Sequence, residues 1–549
     1  MYNIVIIIYS LKGKINIYLP LILAIVLIGG IVIGYKLIPV ITSGSGIFPF
    51  SVSRYNKLND IVNYISQEYV DSIDSESISE KGIYGILDNL DPHSQYITAE
   101  DFNDVNDPLI GNFEGIGIQF RIDKDTIAVV QTITGGPSER AGLLACDRIV
   151  TVDDTLVAGI KITDIGEMKK LKGKKGTKVR IEIFRRGTKN LIEFTITRDV
   201  IPTYSIDIAF MPALNIGYIK ISKFSATTYN EFRKAIAGLK EQGMAKLILD
   251  LRGNAGGYLQ AAIDISDEFL ENNKLIVYTE GNHQPRESFY ATSKGNLEKL
   301  PVVILIDEGT ASASEIVAGA LQDNDRGEIM GRRSFGKGLV QRQFDFPDGS
   351  ALRLTVARYY TPTGRCIQKP YQKGKGFGDY YSEAAHRFLN GELVEKDSIH
   401  FNDSLKYITP GGKILYGGGG IMPDLFIPAE NDPELGYYNQ LLQNSIFIRF
   451  AFEYTDRNRI KLKQYTDFES FNKQFEINSV LFNDFLRFAS DNGVEQNSKE
   501  IEFSSERIKT MLKANIGRNL FDDKGFYPLY LTTDKAYQKA ISHLADDNN

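Results

Sequence analysis

An apolar run of strand length that leads directly into a helix is the feature that most constrains the fold of this chain. Residues Pro301–Asp307 (PVVILID) form the run, and Ser312–Asp323 show helical spacing with Glu315 in the first turn. Ser312 is therefore predicted to lie at a strand-to-helix turn. Such a turn exposes a side-chain oxygen at the end of a sheet, where the N–H groups and the positive dipole of the helix face whatever the oxygen attacks.

A lysine lies 25 residues after Ser312, in the segment RSFGKGLVQ at 333–341. A serine hydroxyl attacks only when a base takes its proton, and the amine of Lys337 can be that base if burial lowers its pKa. Gln341, four residues further on, can orient the amine by a hydrogen bond. Taken alone, each segment also fits a structural interpretation, because small residues often cap helices and a lysine between glycines often lies in a solvated turn.

A glycine-rich turn follows the predicted strand Ala245–Leu251, in the segment DLRGNAGGYL at 250–259. Asn254, Gly256 and Gly257 predict a tight turn whose backbone N–H groups face a cavity without obstruction by side chains. Donors of this kind stabilise the negative oxygen that develops during acyl transfer. An ordinary strand-to-helix turn is the alternative for this segment on its own.

Residues 111–198 alternate short strands with one short helix at Pro137–Leu144 (PSERAGLL), and this pattern resembles a PDZ domain. In PDZ domains a Gly-Ile-Gly-Ile loop donates N–H groups to the terminal carboxylate of a peptide, which adds as a strand to an open sheet edge. The apolar residues of the loop equally suit a hydrophobic core. The resemblance assigns binding of the peptide tail to Phe113, Gly115, Ile116, Gly117 and Ile118.

The segments together resemble the carboxyl-terminal processing peptidases, also called tail-specific proteases, of bacteria and plastids. Three further stretches agree with this family: LDPHSQYITAEDF at 90–102, YYTPTGRCIQ at 359–368 and GGGGIMPDLFIP at 417–428. The stretches occur in the family's order over roughly residues 55–428. The resemblance implies a serine endopeptidase that cleaves protein substrates near their C-termini and needs no cofactor.

The resemblance also implies a role for each candidate residue, and it favours Ser312 over Ser314 as the nucleophile. The implied set is Ser312 as nucleophile, Lys337 as general base, Gln341 as the group that orients the lysine, and Gly257, its neighbour Gly256, and Ala313 as oxyanion donors.

Two positions depart from the family pattern. Cys146 stands where PDZ domains of this type usually have glycine before Asp147, so the backbone there either avoids positive φ or carries a modest strain. Lys172 stands where many relatives carry an arginine that couples the PDZ domain to the active site. A lysine keeps the charge but loses the bidentate geometry, so this coupling is not expected to carry over unchanged.

The N-terminus predicts a compartment. Residues Ile15–Tyr35 carry no charge and match the thickness of a bilayer core, which predicts a transmembrane anchor over 15–37 between a cytoplasmic segment, 1–14, and a linker, 38–54. A cleaved signal peptide would have a shorter apolar core and an Ala-x-Ala-like site. We therefore expect a single-pass protein of the bacterial inner membrane, with its catalytic domain on the periplasmic side.

The remaining pattern predicts a multidomain α/β protein. The family's core is a spiral β/α fold of the ClpP and crotonase type, and the resemblance implies this fold here. The predicted parts are a helical region at 55–104, a β-rich PDZ domain at 105–199, a protease core at 200–428 with a polar surface insertion at 372–404, and a helical region at 429–549.

Composition excludes several classes of function. A net charge of −6 without a long basic run argues against nucleic acid as a partner, and the five scattered histidines show no metal-ligand spacing. The expected partners are proteins or peptides with free C-terminal tails and the membrane, and a homo-oligomer or an adaptor protein is left open. One alternative is a catalytically silent PDZ scaffold of the cell envelope. The second alternative is a His-dependent serine protease with a PDZ domain. That class needs a nucleophile segment Gly-x-Ser-Gly-Gly, whereas residues 253–257 read GNAGG and contain no serine.

Overall fold

The computed structural model describes residues 23–30, 57–123, 125–159, 169–372, 377–400 and 402–546, and the chain forms two compact units, residues 1–82 and 83–549. Residues 23–30 are helical, and helices α1 (Lys57–Glu68) and α2 (Ser75–Leu87) follow. The predicted segment 1–14, most of the predicted anchor 15–37 and the predicted linker 38–54 lie outside the described residues. Within the described ranges, no helix combines the length and the apolar character needed to cross a membrane.

A small β-rich domain occupies the first part of the second unit. Strands β3 to β5, β7 and β8 form an antiparallel sheet in that order, β6 pairs with β5, and β2 pairs with β9. Every second residue of β7 is buried, which is the pattern of a strand with one face on a core. Strand β1 (Gln95–Ile97) and helix α3 (Phe102–Ile110) precede the domain in the chain. The elements of the domain are β2 (Asn112–Gly115), β3 (Ile118–Ile122), β4 (Ile127–Thr132), α4 (Pro137–Ala141), β5 (Arg148–Val152), β6 (Thr155–Leu156), β7 (Lys178–Phe184), β8 (Ile192–Thr197) and β9 (Asp199–Pro202).

The central α/β domain is built on a six-stranded sheet in the order β10-β11-β12-β15-β16-β21, parallel except for β10. Parallel strands covered on both faces need continuous apolar runs, and all five residues of both β12 and β15 are buried. The elements are β10 (Ile206–Ala213), β11 (Ile216–Ile221), α5 (Thr228–Glu241), β12 (Lys246–Asp250), α6 (Leu259–Asp267), β13 (Leu275–Gly281), β14 (Gln284–Tyr290), β15 (Val302–Ile306), α7 (Ala313–Asp323), β16 (Glu328–Gly331), β17 (Leu339–Asp345), β18 (Ala351–Tyr360), α8 (Phe377–Leu389), β19 (Lys406–Ile408), β20 (Ile414–Tyr416) and β21 (Leu425–Phe426).

A second sheet covers one side of this domain. Its strands run in the order β1-β18-β13-β14, and β17 pairs along the other edge of β18. The segment that contains Lys337 connects β16 of the first sheet to β17 of the second. The predicted mixed α/β, multidomain character of the chain is confirmed.

Helix α8 of the predicted polar surface insertion at 372–404 packs one side against the lysine segment, while most of its described residues are exposed. Arg387 on this helix is buried and donates to the carbonyl oxygens of Ser334 (2.8 Å) and Phe335 (3.3 Å). Glu383 accepts from Arg387 Nε at 2.9 Å, so a polar sequence packs against the lysine segment as a network of paired charges. Partners distant in sequence satisfy the polar groups on the packed side of the helix.

The last part of the chain is helical, as its pattern predicts. Its core is rich in stacked and edge-on aromatic rings, such as Phe447 against Phe485 (centroids 5.2 Å apart). The helices are α9 (Gly436–Gln443), α10 (Ile446–Arg457), α11 (Arg459–Leu462), α12 (Phe468–Gln474), α13 (Ser479–Asp491), α14 (Ser498–Tyr530, broken at Phe521 and Asp522) and α15 (Lys535–Asp546).

Helix α10 packs on the β-rich domain next to Cys146. The backbone of Cys146 has φ +67°, so of the two sequence-based alternatives the strained one holds. Its N–H donates to the carbonyl oxygen of Val129 (2.8 Å), and its buried side chain lies in one apolar cluster with Phe452 of α10. The strain of a positive φ outside glycine is thus offset by a contact that a glycine would lack.

Candidate active site

Ser312 lies where the sequence predicts it, between β15 and the fully buried helix α7. It is the N-terminal cap of α7, with φ +55° and ψ −115°, a conformation that non-glycine residues rarely adopt. Gly256 packs directly against it, because a Cβ added to Gly256 would lie 2.7 Å from the Cβ of Ser312. The glycine-rich turn and the serine turn therefore meet at the end of the central sheet.

The buried carboxylate of Glu315 ties the serine turn to the lysine segment. It accepts hydrogen bonds from the N–H groups of Ser312 (2.8 Å) and Lys337 (2.9 Å). It also accepts from the N–H of Gly336 (2.7 Å) and the hydroxyl of Ser334 (2.5 Å). Burial raises the pKa of Glu315 to about 7, while these hydrogen bonds oppose the rise by favouring the charged form.

The hydroxyl of Tyr359 makes a second link between the same two residues. It lies 2.7 Å from the carbonyl oxygen of Lys337 and 3.1 Å from that of Ser312. Tyr359 and Glu315 thus hold the two backbones together through carbonyl and N–H groups respectively. Sequence reasoning noted Glu315 only as an acidic residue in a first helical turn and did not find this function of it.

Lys337 is half-buried, and burial lowers the pKa of its amine, with the nearby Arg353 guanidinium acting in the same direction. The carboxylates of Glu315 and Asp91 act in the opposite direction and raise it. Burial, together with the charge of Lys337, lowers the pKa of the adjacent His93 to about 3, so this imidazole is neutral at physiological pH. The net shift is towards the neutral amine, which is the form that can accept a proton.

Gln341 reaches the same region from strand β17. Its amide Nε2 donates to the hydroxyl of Thr355 on β18 at 3.2 Å. An irregularity in the pairing of β17 with β18, between Val340 and Gln341, brings Gln341 opposite Thr355. Its predicted action on Lys337 stays a prediction.

Of the three predicted oxyanion donors, Gly256 contacts Ser312 and Ala313 follows it in the chain, while Gly257 follows Gly256; they differ in their N–H groups. That of Gly256 already donates to Asn254 Oδ1 (2.8 Å), so the contribution of Gly256 is its close contact. The N–H groups of Gly257 and Ala313 have no acceptor in the described part of the chain. Gly257 has φ +144°, and a Cβ there would lie 1.8 Å from the carbonyl oxygen of Phe224, so the turn requires glycine.

Four of the five residues predicted to bind a peptide tail line one groove of the β-rich domain. Its volume is about 350 Å³, and Phe113, Ile116, Gly117 and Ile118 all border it. Gly115 instead lies in a backbone bridge to Lys172. Both sequence interpretations apply to the two isoleucines, since they border the groove and also belong to the buried core. Strand β3 pairs only with β4 among the described strands, which leaves one edge open.

Lys172 also borders this groove. Its amine pairs with Asp104 (2.6 Å) and lies 3.8 Å from Asp107, both on α3. It also lies over the ring of Phe113. In this conformation the lysine connects the groove to the segment that precedes the β-rich domain.

Three family descriptions match parts of the chain. Residues 215–374 match peptidase family S41, residues 115–196 match the PDZ domain, and residues 437–522 match a family of unknown function. A carboxyl-terminal-processing protease of Synechocystis is 38% identical over 344 residues, which are 61% of this chain and 78% of that protein. The carboxy-terminal processing protease CtpA of Bacillus subtilis is 36% identical over 318 residues, 58% of this chain and 67% of that protein.

The chain belongs to the carboxyl-terminal processing proteases. A third member, from Bartonella bacilliformis, is 36% identical over 317 residues, 57% of this chain and 72% of its own. This carboxyl-terminal processing protease is thus a serine-type peptidase with a PDZ domain, as the sequence predicts. The family excludes the His-dependent alternative. Within the described residues no group of three or more His, Cys, Asp and Glu side chains is placed to hold a metal ion.

Proposed function

We propose that this protein cleaves protein substrates near their free C-terminal tails, with Ser312 as nucleophile and Lys337 as general base. The observation that carries the proposal is the double link between these residues through Glu315 and Tyr359. Two rigid links hold the serine and the lysine in a fixed relation, which an attack assisted by proton transfer requires. A silent scaffold would have no need of a strained serine whose backbone is linked to that of a lysine with a lowered pKa.

The reaction follows the usual course of acyl transfer. Lys337 Nζ, in its neutral form, takes the proton of Ser312 Oγ as the oxygen attacks the scissile carbonyl carbon. The resulting oxyanion accepts hydrogen bonds from the N–H groups of Gly257 and Ala313, at the positive end of the α7 dipole. The lysine returns the proton to the leaving amine, which departs with the C-terminal fragment. Water, deprotonated by the same lysine, then releases the acyl group from Ser312.

The PDZ groove supplies the choice of substrate in this proposal. The open edge of β3 accepts an extended peptide as an added strand, and the loop at 115–118 donates N–H groups to its terminal carboxylate. The apolar lining by Phe113, Ile116 and Ile118 favours an apolar last residue. Substrates are thereby engaged at their free tails and cut by the adjacent core.

Peptide cleavage by purified variants tests the catalytic assignment. Ser312→Ala and Lys337→Ala should each abolish hydrolysis, and Lys337→Arg should not restore it, because a guanidinium cannot act as a base near neutral pH. Ser314→Ala is the matched control: its hydroxyl is buried and bonded to the carbonyl oxygen of Asn254 (3.0 Å), so activity should remain. Turnover by Lys337→Ala, or activity lost in Ser314→Ala and kept in Ser312→Ala, would refute the assignment.

We further propose that an uncleaved anchor at 15–37 holds the protein in the bacterial inner membrane, with the catalytic domain on the periplasmic side. The uncharged run Ile15–Tyr35 supports this. The full chain should fractionate with membranes and retain its N-terminus, with residues beyond about 50 open to protease added from the periplasmic side. Recovery of a soluble form that begins near residue 42 would show instead that the segment is a cleaved signal.

A further inference from the structure

The turn Asp91–Ser94, part of the LDPHSQY segment, fills a gap beside strand β18. Strand β17 occupies one edge of β18, and the other edge pairs with β1 at residues 351–353 and with β13 at 358–360. Between these two stretches the Ser94 hydroxyl accepts the N–H of Thr355 at 3.1 Å. The turn therefore completes the sheet at the position of Thr355.

Asp91 organises this turn and also reaches across to Thr355. Its Oδ1 accepts from the N–H groups of His93 (2.9 Å) and Ser94 (3.1 Å), and its Oδ2 accepts from the Ser94 hydroxyl (2.6 Å). These bonds fix the carboxylate. Oδ1 then accepts from the hydroxyl of Thr355 at 2.8 Å.

The direction of the next hydrogen bond follows from the number of protons. A hydroxyl has a single proton, and an ionised carboxylate can only accept, so the proton of Thr355 is committed to Asp91. In its contact with Gln341 the Thr355 oxygen can therefore only accept a hydrogen bond. Its donor is Gln341 Nε2, which lies 3.2 Å away. The reversed amide would place two acceptor oxygens against each other. Asp91 thus determines, through Thr355, that the amide nitrogen of Gln341 faces Thr355 and that Oε1 faces away.

We propose that Asp91 and Thr355 are positioning residues, which fix the amide of Gln341 so that its carbonyl oxygen is presented to the amine of Lys337. The inference rests on the proposed function of Lys337 as the base. A neutral amine has two N–H groups and one lone pair. When Oε1 accepts one N–H, rotation of the amine is restricted and its lone pair can stay directed at Ser312. A flipped amide would offer N–H groups to an amine that must keep its lone pair free.

The test is the rate of peptide cleavage by variants of the full chain. Thr355→Val removes the hydroxyl at nearly constant shape and should lower kcat by about tenfold to a hundredfold, with KM changed by less than about twofold, since orientation and not substrate binding is lost. Thr355→Ser keeps the hydroxyl and should retain most of kcat. Thr279→Val, a buried threonine on the adjacent strand β13, is the matched control and should leave kcat unchanged.

A double variant separates positioning from a merely structural effect. If Thr355 acts through Gln341, then Thr355→Val combined with Gln341→Ala should be no slower than Gln341→Ala alone. Multiplied losses in the double variant, or full activity in Thr355→Val, would overturn the inference. Circular dichroism checks folding, and Thr355→Ala replaces the valine variant if that variant does not fold. A wild-type chain that cuts no peptide, or an active Ser312→Ala, would instead count against the proposed function itself.

Discussion

Replacing Asp456 on helix α10 by alanine should loosen the PDZ domain from the C-terminal helices. The Asp456 carboxylate is inaccessible to water and forms ion pairs with three arginines. Arg148 (3.2 Å) and Arg186 (2.9 Å) come from the PDZ domain, and Arg459 (3.1 Å) comes from the C-terminal helices. Removal of Asp456 leaves three positive charges close together without their shared partner.

The exposure of the arginines sets the magnitude. Removing one partner of a fully buried ion pair costs about 3–5 kcal/mol. Here the side chains of Arg148 and Arg459 are each 20% exposed and that of Arg186 is 47% exposed, so water replaces part of the lost interaction. The free energy that holds the two domains together should therefore fall by about 2–3 kcal/mol.

Hydrogen exchange measures this loss directly, because unfolding of a multidomain chain is rarely two-state. Amides at the contact, in Cys146 and in the last turn of α10, should exchange about 30- to 140-fold faster in Asp456→Ala if opening of the contact limits exchange. Glu453→Ala is the matched control on the same helix, because Glu453 pairs with Arg457, which is 61% exposed, and such pairs contribute little. Equal exchange in the two variants would refute the reasoning.

Three further outcomes are expected. Gly257→Ala should abolish peptide cleavage, because its Cβ would lie 1.8 Å from a carbonyl oxygen, whereas Gly238→Ala on helix α5, where a Cβ meets open space, should leave cleavage intact. The plot of kcat/KM against pH should rise through a pKa below the usual range of an amine, because burial lowers the pKa of Lys337 and only the neutral amine accepts a proton. A rise in kcat/KM near the ordinary pKa of lysine would contradict the assignment of a buried base. Amidation of a substrate's C-terminus should lower kcat/KM by about tenfold to a hundredfold, because a charge-assisted hydrogen bond is lost. Equal cleavage of the amide and the free acid would show that the PDZ groove does not bind the terminal carboxylate.

Local pattern was sufficient for the turn that carries Ser312. The apolar run before it forms β15 and the helical spacing after it forms α7, because both elements are buried on all sides and leave little room for polar residues. The helical C-terminal region was predicted from its pattern in the same way. Strands β14 and β17 were not predicted. Both carry polar residues on exposed faces and depend on neighbouring strands, so their own sequence holds a weak signal.

The sequence by itself determined the PDZ pattern and the family, and it predicted the candidate catalytic segments, since short segments with fixed spacing carry them. Only the tertiary structure decided what holds these segments together. The hydroxyl of Thr355 meets Asp91 across 264 residues of chain, and Arg148 meets Asp456 across 308. No periodicity encodes such pairs, because each partner has an ordinary polar side chain whose significance comes only from burial beside the other. The fold limits the access of water to these side chains, so that each carboxylate, hydroxyl or guanidinium keeps specific protein partners in place of water.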